Sequence, residues 1–142
     1  MQFRVRFPAL PPHMWLLIAV YSAASFAHFA HNAEFIAFYP NMPVWITRET
    51  VYRAWLAIAA VGVVGVIFLA MSWRIAGVLA LAAYGALGLD GLGHYALALC
   101  AEHTLAANLT IWLEVAAGSA LAAASIYLLA VETSRRRMRT LS

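Results

Sequence analysis

The residues best suited to chemistry stand in three stretches of the chain. These are His28-Phe29-Ala30-His31-Asn32-Ala33-Glu34, then Asp90-Gly91-Leu92-Gly93-His94, and finally His103 with Glu114 further along. On a helix, residues three or four apart share a face, so His28 lies beside both His31 and Asn32, and Asp90 lies beside His94. His103, Ala107, Thr110 and Glu114 follow steps of four, three and four, the mark of one helical stripe. Neutral imidazole ligates zinc, copper and iron, and carboxylates add hard oxygen donors. The pattern therefore leads us to expect a transition-metal ion (zinc, copper or iron) held by His28, His31, Asp90, His94, His103 and Glu114. Asn32 and Glu34 would orient the imidazoles from behind. If such a site is catalytic, Glu114 or Asp90 would accept the proton of a metal-bound water, as in a hydrolase or oxidoreductase. The competing explanation is duller: polar groups at helix ends meet water, and buried ones bond between helices.

Whether these stretches meet depends on the elements that carry them. The chain has 142 residues, 65% hydrophobic and only 11% charged, with a mean hydropathy of +0.81. A soluble domain carries about 25% charged residues. This composition describes an all-α integral membrane protein with one bundle and no second domain. Apolar runs at about 14–34, 50–72, 75–99 and 104–131 are each long enough to span a bilayer, followed by a basic tail over 132–142. The first run, with arginines before it and Ser25-Phe26-Ala27 late in it, also has the outline of a signal peptide, but we read it as the first span. Pro8, Pro11 and Pro12 keep the start out of a helix until about Met14, and Pro40 and Pro43 bracket an irregular loop. Thr47, with Thr50 three positions on, is the expected N-cap of the second span.

All nine basic residues are arginines. Arg4, Arg6, Arg74 and the four of the tail fall on one side of a four-span model, against Arg48 and Arg53 on the other. By the positive-inside rule both termini are cytoplasmic, in a multi-pass protein of the cell's inner (plasma) membrane. Glu34, Glu49, Asp90, Glu102 and Glu114 then share the outer half with four of the five histidines. With a rise of ~1.5 Å per residue, His28 stands about 21 Å above Met14, Asp90 about 22 Å above Ile75, and Glu114 about 15 Å below Thr104. These heights match, and His31, His94 and His103 form a second layer nearer the periplasm.

Several classes are excluded or disfavoured. The arginines form no patch interleaved with aromatics, so nucleic acid is not a partner; the bilayer is. The single cysteine, Cys100, excludes a disulfide, a CxxC pair and a CxxCH haem attachment. A di-iron bundle shows Glu-x-x-His pairs, and His31-x-x-Glu34 departs from that order. Two alternatives stay open. One is a haem b or quinone protein using His31 and His94 as facing histidines. The other is a non-catalytic four-helix protein: an accessory subunit of a larger complex, a homo-oligomer, or a binder of ions or a small lipid-like ligand. In size and span count the chain is similar to DoxX-like and emopamil-binding-type bundles, a similarity that assigns no residue roles.

Overall fold

The computed structural model describes the backbone of residues 10–141 and the side chains of residues 10–134. Arg4, Arg6, Pro8 and the side chains of Arg135, Arg136, Arg137 and Arg139 lie outside the described residues. Within them the structure is entirely helical, without strands, and four helical stretches are long and apolar enough to cross a membrane.

Helix α1 (Pro12–Glu34) begins where the prolines allow it. Pro12 sits in the first turn, where a missing N–H costs nothing and its fixed φ suits the helix. At 23 residues it is about 34 Å long. Its buried face includes Tyr21, Ser25, His28 and Asn32 at steps of four, three and four, so the polar stripe points inward and residues such as Leu16 and Val20 point out. Helix α2 (Arg48–Ala70) starts on a reciprocal capping box. The Thr50 N–H donates to the Thr47 hydroxyl at 3.3 Å, and the Thr47 N–H donates to the Thr50 hydroxyl at 2.8 Å. Both donors would otherwise be orphaned at the helix start. Glu49, in the first turn, complements the positive end of the helix dipole.

The third span departs from the continuous helix expected over residues 75–99. It is α3 (Arg74–Leu87), then a 3-10 segment Gly88–Gly93, then the single turn α4 (His94–Leu97). Three glycines in six residues remove the propensity that would hold a regular α-helix. They also permit a close crossing: a Cβ on Gly85 would stand 2.6 Å from the Gly118 carbonyl, and one on Gly88 3.1 Å from the Glu114 carbonyl. Helix α5 (Leu105–Leu141) is thereby drawn against α3 along the turn that carries Glu114. It continues past the expected end at residue 131, with the membrane-compatible part at Leu105–Ser134.

The C-terminal ends of α1 and the third span, the N-terminal ends of α2 and α5, and the 35–47 and 98–104 connections share one end of the bundle, called here the loop end. At the opposite end, Arg74 and Glu132 pair. An apolar core of Met14, Tyr21, Leu69, Val78, Leu81, Tyr84 and Leu121 fills the bundle between them.

Candidate functional site

Two buried side chains from facing helices meet beneath the loop end. His28 on α1 and Glu114 on α5 are 2% and 1% exposed, with Nε2 and Oε2 3.6 Å apart. That is an ion-pair distance and too long for a hydrogen bond. Thr110, one turn before Glu114, donates its hydroxyl hydrogen to the Ala107 carbonyl at 3.0 Å. Its oxygen is thus left to accept from His28 Nδ1 across a long 3.4 Å contact. Neither Glu114 oxygen has a hydrogen-bond partner in the structure, and neither do the buried hydroxyls of Tyr21 and Ser25 further down the α1 stripe.

His94 is the next member toward the loop end. The Asn32 side-chain amide donates to its Nε2 at 3.2 Å. Its ring meets the His28 ring edge to face at 5.2 Å and lies against Tyr39 at 4.8 Å. Tyr39 comes from the 35–47 connection, yet it is only 3% exposed. Burial pushes its phenol up to about 12, so it remains a hydroxyl and holds His31 Nδ1 at 2.8 Å. His103 completes the cluster at 6.1 Å from the His94 ring, with Nδ1 donating to the Leu99 carbonyl at 3.0 Å and Nε2 buried without a partner.

A cleft of about 390 Å³ adjoins this cluster, between α1, the 35–47 connection, α2 and the broken third span. Phe29, Met42, Trp45, Ile46 and Val51 give it apolar and aromatic walls, while Asn32, Thr50, Asp90 and His94 add polar side chains. Asp90 is exposed, and its position follows from the helix break. Four residues advance about 40° net at 100° per residue in an α-helix, but about 120° in a 3-10 helix. Asp90 and His94 therefore do not share the stripe expected of them, and His94 alone turns into the bundle.

The expected metal set is accordingly not assembled. Among the described residues, no group of three or more His, Cys, Asp or Glu side chains is placed to hold a metal ion. His28, Glu114 and His94 come together, Asp90 faces the cleft, His31 is taken up by Tyr39, and His103 bonds its own loop. Asn32 donates to the His94 imidazole. Glu34 orients none: its Oε1 accepts from Arg48 Nη2 at 2.7 Å and from the Tyr52 hydroxyl at 2.8 Å on the surface. Tyr21, Ser25 and Tyr39 were absent from the sequence-derived set. The spacing of Tyr21 and Ser25 from His28 carried a signal for those two, whereas nothing local marks Tyr39 as buried.

The fold and site together define a small helical bundle, with four helices long and apolar enough to cross a membrane and a polar cluster at its loop end. Comparison of the chain with known protein families, characterised proteins and solved structures returned no match.

Proposed function

We propose that this chain is a membrane-embedded binding protein whose cleft receives a small amphiphilic molecule. The observation that carries this reading is the cleft itself: aromatic and aliphatic walls interrupted by the polar side chains of Asn32, Thr50, Asp90 and His94. Its volume is within the ~300–1,000 Å³ typical of small-molecule sites, which pair apolar walls with a few convergent polar groups. His94 is fixed for that role, with Asn32 on its Nε2, His28 against one part of its ring and Tyr39 against another. Such fixing lowers the ordering cost of binding. In this reading the arginine asymmetry puts the loop end, and the cleft with it, toward the outside of a plasma membrane.

The test is photolabelling of the full chain in lipid bilayers with hydroxymethyl-benzophenone, with adducts mapped by mass spectrometry. The expected adducts fall on Met42, Trp45 and Ile46 and are lost in Ala54→Phe, which fills the cleft. Adducts spread evenly over outward residues such as Leu16, Val20 and Ile126, and unaffected by Ala54→Phe, would reduce the cleft to a surface irregularity.

A further inference from the structure

The chemistry of the cleft wall narrows what the occupant can be. Asp90 is the one carboxylate among the residues lining the cleft, and no lysine or arginine lines it. Among the described residues its carboxylate has neither a hydrogen bond nor a salt bridge, although it sits inside a stretch apolar enough to span a membrane. A carboxylate within an apolar stretch of this kind is stabilised when a cation pairs with it. Arg48, at the start of α2, is already held by Glu34 and lies over the Tyr52 ring at 5.5 Å. On the wall facing Asp90 there is no basic side chain, so an anionic head group would find like charge and no partner. Phe29 and Trp45 offer aromatic faces, which attract cations through the ring quadrupole.

We propose that the occupant is a small organic cation, with its ammonium group beside Asp90 and its apolar part against Phe29 and Trp45. This rests on the cleft being a binding site, and it adds the charge of the ligand. His94 and Asn32 would meet the uncharged polar edge of the same molecule. Their own hydrogen bond leaves the imidazole without a second demand for a proton at Nε2.

The experiment compares benzyltrimethylammonium with neopentylbenzene, its neutral isostere in which carbon replaces nitrogen, and with benzenesulfonate as the anion. Binding to the full chain in bilayer nanodiscs is read from tryptophan fluorescence, with Trp45→Phe identifying the cleft signal and Ala54→Phe subtracting partition into lipid. The cation is expected to bind at least about tenfold more tightly than neopentylbenzene, a difference of about 1.4 kcal/mol. Benzenesulfonate is expected not to bind, and Asp90→Asn should erase the preference for the cation. Equal affinity for the two isosteres, or a preference that survives Asp90→Asn, overturns the cation and leaves the cleft as a site for neutral molecules. If no probe gives a signal sensitive to Trp45→Phe and Ala54→Phe, the binding cleft itself fails and the cation with it.

Discussion

The crossing of the third span with α5 predicts a graded cost for adding a single methyl group along the glycine-rich segment. At Gly88 a Cβ would stand 2.8 Å from Tyr21 Cε2, 3.1 Å from the Glu114 carbonyl and 3.2 Å from Gly118 Cα. Two of those neighbours are backbone, so α3 and α5 must move apart. Overpacking of this kind costs about 1–3 kcal/mol. At Gly91 the nearest atoms would be Glu114 Oε2 at 3.4 Å, Ile111 Cγ2 at 3.6 Å and Val115 Cγ2 at 3.7 Å, which is ordinary contact. At Gly93 nothing lies within 4 Å. Neither Gly91 nor Gly93 has a positive φ, so alanine fits both backbones. Removing a glycine there restricts the unfolded chain and is worth about 0.4–1 kcal/mol in favour of the folded state. The assay is unfolding in mixed detergent micelles followed by circular dichroism, for Gly88→Ala, Gly91→Ala and Gly93→Ala. Gly88→Ala should lose stability while the other two hold or gain it. A loss in Gly91→Ala equal to that in Gly88→Ala would show that the two spans do not approach each other as described. It would also remove the reason for Glu114 being where it is.

Three further outcomes follow from the site. Replacing His28 and Glu114 together by leucine, which exchanges a buried polar pair for apolar groups of similar size, should leave stability unchanged or raise it by about 1–4 kcal/mol. The same double change should weaken benzyltrimethylammonium binding several-fold, because His94 loses a fixed neighbour; unchanged binding would uncouple the pair from the cleft. Arg48→Ala breaks an exposed pair with Glu34 and should change stability only slightly, less still in high salt. Tyr39 gives a pH signature with a definite sign. Its phenol goes from about 10 in the unfolded chain to about 12 in the fold, so its contribution is complete below about pH 10 and is lost as pH rises toward 12. Tyr39→Phe should flatten that alkaline decline in an unfolding titration, and an identical decline in the variant would place the phenol in solvent.

The sequence carried the helices and their facing with little ambiguity, because the signals were local. Thr47 and Thr50 form the cap that their types and spacing imply, and the stripe from His103 to Glu114 ends in a carboxylate buried against α1, though His103 itself precedes the helix. Asn32 reaches an imidazole, as its place one turn after His28 suggests. What escaped was non-local. Gly88, Gly91 and Gly93 could serve packing within an α-helix or loosen it into a 3-10 turn, and only contact with Gly118 and Glu114 on another span decides between them. Tyr39 lies among Phe35, Phe38 and Trp45, all exposed, and looks like one more aromatic of an interfacial belt. Its burial depends on the loop folding back over His94. Among the described residues the six expected ligands are not brought into one group: Asp90 is turned aside by the 3-10 segment, His31 is engaged by Tyr39, and His103 bonds its own loop.

The buried histidine and glutamate are then best understood through position. Taking an imidazole and a carboxyl out of water is expensive, and a well-packed apolar pair would serve stability as well or better. At 3.6 Å they do not even make the hydrogen bond that would offset most of the cost. Two hydroxyls, those of Tyr21 and Ser25, are buried nearby without partners, which adds to it. What the arrangement supplies is a rigid back to His94, whose ring is wedged between His28 and Tyr39 with its nitrogen held by Asn32. The 3-10 turn then sends Asp90 to the adjoining wall of the cleft, about a third of a helical turn away from His94. One glycine-rich segment thus sets His94 against its buried polar neighbours and leaves Asp90 at the wall of the cleft.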